Sequence, residues 1–172
     1  AENVRKRGYK GDLAIFRFGV DPSVFRRKGP RGVTGFNVLS IRPCSRIYNP
    51  LVIVSAFKLG LPQMGNANLW MFDFGNMIDE VHGAVDADAQ LKARVKFVPR
   101  KPFSEMVEVY NSADIAVSIP DSDSAAASVL EAMPCQVPEI ASDIPPMREW
   151  IDEGATRYLT AIDPARSADK MR

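Results

Sequence analysis

Asp123 and Glu131 stand with seven residues between them in the stretch DSDSAAASVLEAM (121–133). The segment before it, DIAVSIP (114–120), groups apolar residues as a short buried strand does, and the segment after Ser124 is rich in helix formers. Residues 121–124 therefore read as a strand-to-helix turn. Asp and Ser are favoured at helix N-caps, and the small Ser124, Ala125 and Ala126 let another molecule approach the first-turn amides closely. Unpaired amides at the positive end of a helix make an anion site. A phosphate seated there would have Ser122 and Asp123 beside it, and Glu131, about two turns further on, within reach of hydroxyl groups. The ligand that fits this chemistry is a phosphorylated sugar or a nucleotide. Capping alone, with Glu131 solvated, is the commoner use of the same residues.

Cations fall at comparable places. Arg42 directly follows the strand-like FNVLSI (36–41), and Arg46 lies in the loop before a helix that starts after Asn49. Guanidinium groups there could hold a diphosphate by charge-assisted, bidentate hydrogen bonds, and exposed loop cations are the plainer alternative. The sequence DFG (73–75) closes the next strand, where glycine permits a tight turn, and PRKP (99–102), with Arg100, closes the one after it. Tyr48, Trp70 and Phe103 read as core or rim aromatics.

These residues need a frame that brings strand ends together. Strands are predicted at 13–16, 36–41, 67–72, 95–98, 114–119, 138–141 and 157–161, and helices at 50–59, 78–92, 103–111, 124–133 and 146–153. Alternation with short connections predicts an α/β fold: a parallel sheet with helices on both faces. Ligands in such sheets bind at the carboxyl ends of the strands, near the point where strand order reverses. Residues 1–35 read as an inter-domain segment with the first strand, and 36–172 as the main domain.

Composition sets the limits. A chain of 172 residues, 46% hydrophobic and 25% charged, can bury a full core and is not disordered. A net charge of +1 gives no general attraction to nucleic acid. Basic runs at 5–7, 26–28 and 94–101 read as solvated faces, with an anionic membrane surface as the alternative. Cys44, Cys135 and His82 form no zinc pattern, and two cysteines fit a reducing, cytoplasmic compartment. No apolar run reaches the roughly 18 residues that span a membrane, and the N-terminus has no apolar signal core.

From Phe18 to about Pro164 the chain resembles the C-terminal, nucleotide-sugar-binding domain of a family 4 glycosyltransferase of GT-B architecture. The resemblance rests on five pieces in order: FGVDPSVF (18–25), VLSIR (38–42) with IYNPLVIVSAF (47–57), VKFVPRKPFSEMVEVYNSADIAVSIP (95–120), DSDSAAASVLEAM (121–133) and EIASDIPPMREWIDEG (139–154). It implies a Rossmann-like half of a GT-B fold, with 36–172 as the donor-binding domain of a retaining hexosyltransferase. The donor implied is a nucleotide-diphosphate sugar such as a UDP- or GDP-sugar. Asp123 and Glu131 match the family's paired acids, the first contacting the donor sugar or the phosphate side, the second the ribose. Arg42 matches the phosphate-binding Arg, Arg46 lies near a family Lys, Ser124 and Ala125 meet the diphosphate through their backbone, and Arg100 borders the base. No metal is implied, since cations and a helix dipole neutralise the leaving diphosphate.

The sequence departs from the family in places. Gln136 replaces a glycine that would supply a left-handed conformation, and Glu139 puts a charge in a strand that normally carries Val. The expectation is a fragment without its N-terminal acceptor domain, inactive alone, from an enzyme that is cytoplasmic and associates peripherally with the membrane. The rival readings are a non-catalytic nucleotide or sugar-phosphate binding domain and a sugar-nucleotide epimerase, for which no additional acid-base set is found.

Overall fold

The computed structural model of the chain describes residues 2–14, 16, 19–30, 34–124, 127–151 and 157–171. After a short helix α1 (Glu2–Lys6), strands β1 (Asn37–Ser40), β2 (Asn68–Phe72), β3 (Val95–Val98), β4 (Ile115–Ser118), β5 (Glu139–Ser142) and β6 (Arg157–Thr160) follow in chain order. All pairings are parallel and the order across the sheet is β3-β2-β1-β4-β5-β6. Strand order reverses between β1 and β4, so their carboxyl ends open a crevice there. The central strands β1, β4 and β5 are buried along their whole length, as parallel strands covered on both faces must be.

The pleat sorts the core into two layers. Val38, Leu69, Met71, Ile115, Val117 and Ile140 face helices α2 (Pro50–Met64), α3 (Ile78–Asp86), α4 (Ala89–Arg94) and α8 (Pro164–Met171). Leu39, Phe72 and Ala116 face the other way, toward Met106, Val107 and Tyr110 of α5 (Phe103–Asn111) and toward Phe25. Burying side chains of this size contributes about 1.5–3 kcal/mol each. Phe25 stands edge-on to Phe103 and Tyr110 at centroid distances of 5.2 and 6.0 Å, so part of the segment before residue 36 is packed onto the main domain.

Six of the seven predicted strands are present, within a residue or two of their expected bounds. At 13–16 the expectation fails: Leu13, Ala14 and Phe16 lie outside any strand, Phe16 is 89% exposed, and Ile15 falls outside the described residues. The single helix expected at 78–92 is two, because the Asp88 carboxylate accepts hydrogen bonds from the amides of Gln90 and Leu91 and starts α4 anew. In the other direction, α2 continues past 59 to Met64, through Gly60 and Pro62. Helix α8 was not expected, and α7 (Pro145–Arg148) is shorter than predicted.

Candidate functional site

The crevice is built by the loops after β1 and β4. Asn49 adopts the left-handed conformation (φ 50°) that Asn tolerates, and its amide Nδ2 donates to Ile119 O and to Asp121 Oδ1, both at 2.9 Å. Asp121 N donates in turn to Ile47 O at 2.9 Å, so the two loops are tied by main chain and side chain together. The loop after β2 braces the first of them: Cys44 N donates to Phe74 O, and Met77 N to Cys44 O. Gly75 (φ 131°) permits this approach, since any Cβ there would overlap the Cys44 backbone.

Arg42 projects into this frame. Its Nη2 donates to Asp123 Oδ2 at 2.7 Å and its Nη1 lies 3.4 Å from Ser128 Oγ, while the guanidinium sits 4.2 Å above the centroid of the Tyr48 ring. Only 15% of the Arg42 side chain and 9% of the Asp123 side chain meet solvent, which makes this a largely desolvated ion pair. The Arg42 Nε is buried and finds no acceptor among the described residues. Asp123 also accepts the Ser124 amide at 2.7 Å, so one amide expected to meet a phosphate is turned toward a side chain.

Glu131, on α6 (Ala127–Ala132), is half-buried. Tyr110 Oη donates to Glu131 Oε2 at 2.7 Å and lies 3.2 Å from Ser128 O. Burial raises the Glu131 carboxyl above its ordinary range, while the Tyr110 hydrogen bond and the Arg42 charge pull it back. Burial raises the Tyr110 hydroxyl further still, with the charge of Glu131 adding to it.

The structure thus brings Arg42, Asp123 and Glu131 together: Arg42 reaches Asp123 and Ser128 Oγ, and Tyr110 reaches Glu131 and Ser128 O, so Ser128 links the two sides. Arg46 begins the 3-10 turn Arg46–Tyr48 of the same loop and is exposed. Ser122 and Ser124 are exposed on the loop after β4, and Ala125 lies outside the described residues. Arg100 stands apart, at the end of β3 and about 10 Å across the sheet from the end of β1, with its guanidinium 5.6 Å over the Phe74 ring. The expected helix start at Ser124 is not where α6 is described, which is from Ala127.

Sequence reasoning missed Tyr110, Tyr48, Ser128 and Asn49. Asn49 before Pro50 carried a readable signal, an amide side chain just ahead of a helix-starting proline. The others show none, since they join the site only through packing. Of the two residues that depart from the family, Gln136 has the left-handed φ of 56°, and Glu139 is 1% exposed within β5. A separate cleft of 550 Å³, lined by residues including Asp143, Arg148, Thr160 and Arg166, lies at the ends of β5 and β6 and does not include the Arg42 pair. Among the described residues no group of His, Cys, Asp and Glu could hold a metal ion, and no helix is long and apolar enough to cross a membrane.

Comparison with known proteins places the fold. The chain is similar to sucrose-phosphate synthase from Thermosynechococcus elongatus, with a TM-score of 0.81 at 19% identity over 99% of this chain and 46% of that one. It is similar to the C-terminal domain of a glycosyl transferase group 1 family protein, LpcC, from Francisella tularensis (TM-score 0.76, 20% identity, 89% and 86% covered). A third likeness is to a mutant of TarM from S. aureus in complex with fondaparinux, α-GlcNAc-glycerol and UDP (TM-score 0.74, 16% identity, 85% and 29% covered). The chain therefore spans less than half the length of two of these proteins. No curated protein matches it by sequence. Residues 26–172 match the family model described as Glycosyl transferases group 1, so with its six-stranded Rossmann-like sheet and the crevice between β1 and β4, the chain belongs to that family.

Proposed function

We propose that this chain is the donor-binding domain of a retaining family 4 hexosyltransferase, holding a nucleotide-diphosphate sugar, a UDP- or GDP-sugar, across the crevice between β1 and β4. The observation that carries the reading is the Arg42 guanidinium, packed on Tyr48 and held between Asp123 and Ser128 at the switch point of the sheet. The UDP bound in the TarM structure supports a nucleotide as the ligand. A diphosphate supplies Arg42 with a second anionic partner in the same desolvated place, where charge-assisted hydrogen bonds are strongest. Arg46 reaches it from the 3-10 turn, and Ser122 and Ser124 supply the loop that faces it, with Ala125 assigned to the diphosphate from the family resemblance alone.

In this reading Glu131 accepts from the ribose hydroxyls, Arg100 borders the base, and Asp123 meets the donor sugar once the diphosphate shares its arginine. Cations neutralise the leaving diphosphate without a metal ion. The acceptor and the remaining contacts come from a second domain of a longer, cytoplasmic and membrane-peripheral enzyme. Holding acceptor and donor in one geometry supplies about 7–11 kcal/mol of rate enhancement, so this chain alone binds donor without transferring it.

Calorimetric titration with UDP and GDP tests the assignment. Arg42→Ala is expected to weaken binding by roughly 1.5–3 kcal/mol, measured on folded protein, and an unchanged Kd excludes Arg42 as the diphosphate ligand. Reproducible sugar transfer by the isolated chain, abolished in Glu131→Ala, would overturn the claim that a second domain is needed. A binding domain without transfer is the second reading, favoured by the left-handed Gln136 and the buried Glu139. Transfer activity in a longer protein carrying the acceptor domain decides between them.

A further inference from the structure

Tyr110 is fully buried on α5, with its ring against Phe25 and its hydroxyl at the floor of the crevice. Phe would fill this place with the same ring and without a hydroxyl to desolvate. The hydroxyl has one proton and two acceptors in reach: the Glu131 carboxylate at 2.7 Å and Ser128 O at 3.2 Å. The shorter, charge-assisted contact takes the proton.

Resting on the donor-binding reading above, we propose that Tyr110 is the positioning residue for Glu131: its hydroxyl fixes one carboxylate oxygen so that the other is offered to the ribose hydroxyls. Without that bond Glu131 is a half-buried carboxylate with several rotamers, and a hydrogen-bond acceptor is useful to a ligand only when it is held. The charged and titratable groups around the pair come from four elements. Arg42, from the end of β1, favours the carboxylate, and Asp123, after β4, occupies part of that arginine. Cys135, behind α6, is pushed up to about 11 chiefly by burial and is therefore a neutral thiol. Glu139 of β5 adds its charge to the forces that keep Tyr110 protonated. Among these groups Tyr110 donates a hydrogen bond to Glu131, and the bond lowers the pH at which Glu131 takes up a proton.

The test is Tyr110→Phe in the 172-residue chain, read three ways. In the free protein, carbon NMR of the Glu131 carboxyl is expected to show titration at higher pH in the variant. By calorimetry, UDP binding is expected to weaken about three- to tenfold, whereas binding of 2′,3′-dideoxy-UDP stays as in the wild type. In a Glu131→Gln background the same substitution is expected to add no further loss for UDP. A general packing defect would weaken both nucleotides equally and persist in that background, and this outcome overturns the proposal. Unchanged Glu131 titration also overturns it. Wild-type protein that binds UDP and the dideoxy nucleotide equally would sink the ribose contact itself, even with Tyr110 controlling the carboxyl, so the two failures are told apart. Replacing Tyr110 by 3-fluorotyrosine keeps the hydroxyl and makes it a stronger donor. It is expected to move the Glu131 titration to lower pH, and movement the other way refutes the assignment should Tyr110→Phe fold poorly.

Discussion

The crevice between β1 and β4 and the rim at the ends of β2 and β3 both lie at the carboxyl ends of parallel strands, and both pair a cationic or imidazole group with an Asp. They differ in solvent. Arg42 and Asp123 are 15% and 9% exposed, with an aromatic ring beneath the guanidinium. His82 and Asp73, joined at 2.8 Å, are 41% and 46% exposed, with the imidazole stacked on Phe97 at 3.9 Å. Removing one partner from a desolvated pair leaves a costly charge, while an exposed pair is replaced by water. The same chemical motif therefore has different weight at two places about two strands apart, and the less solvated of the two pairs lies where strand order reverses.

The largest expected effect tests that contrast directly. Arg42→Ala should lower the unfolding free energy by about 3 kcal/mol, and His82→Ala by less than about 1 kcal/mol. Urea unfolding of the two variants measures both, and equal losses would erase the distinction.

Next comes the brace that closes the crevice. Asn49→Ala removes two side-chain hydrogen bonds to the loop after β4 and puts Ala at φ 50°. The expected loss is about 2 kcal/mol, seen as a melting temperature lower by about 4–8 °C for a chain of this size. The His82–Asp73 rim should be untouched, which amide hydrogen exchange around Asp73 would check.

A backbone change behind the crevice separates geometry from charge. Gln136 is left-handed at φ 56°, and Gln136→Gly removes the strain of that conformation. Stability should rise by about 1 kcal/mol, with UDP affinity the same as in the original chain. A lower melting temperature would mean that the Gln side chain contributes more than its backbone costs.

The smallest effect has a pH signature. Because burial raises the Glu131 carboxyl in the folded state, its charged form is disfavoured there. Its contribution to stability is greatest below the ordinary Glu value and is lost as pH rises through the raised one. Glu131→Gln should therefore be more stable than the original chain at pH 7, by under about 1 kcal/mol, and lose that advantage as pH falls below the model-peptide range near 4.3. Asp88 and Asp143 at the surface have the opposite sign. Hydrogen bonds from Lys58 and Arg148 lower their carboxyls, so their contribution is present above the ordinary Asp value and disappears on acidification. Thermal melts from pH 3 to 8 measure the difference, and a Glu131→Gln advantage that grows on acidification contradicts the assignment.

Much of the fold was legible along the chain. Central strands such as NVLS and IAVS are continuous runs of residues that tolerate full burial, and α5 was predicted to the residue because its apolar positions recur at helical spacing between Pro102 and Ser112. The break at Asp88 was present as an N-cap signal inside a longer helical pattern and was overridden by it. The continuation of α2 through Gly60 and Pro62 was not legible, because what supports it is α8, more than a hundred residues later, whose Ala168 backbone approaches Gly60. The strand expected at 13–16 rested on a short apolar run, which is ambiguous by itself, and among the described residues Leu13, Ala14 and Phe16 lie in no strand.

The site divides the same way. Sequence by itself determined which groups stand near the crevice, since Arg42 and Asp123 follow the strands β1 and β4 and Glu131 lies on the helix after them. Tertiary structure alone decided that Arg42 meets Asp123 and stacks on Tyr48, and that Tyr110 reaches Glu131 from a different helix. Local propensity and periodicity act over a few residues, whereas an ion pair or a buried hydroxyl bond is formed by groups up to 81 positions apart that become neighbours only when parallel strands assemble. Desolvation, which sets the strength of those contacts, is a property of the assembled sheet and its covering helices.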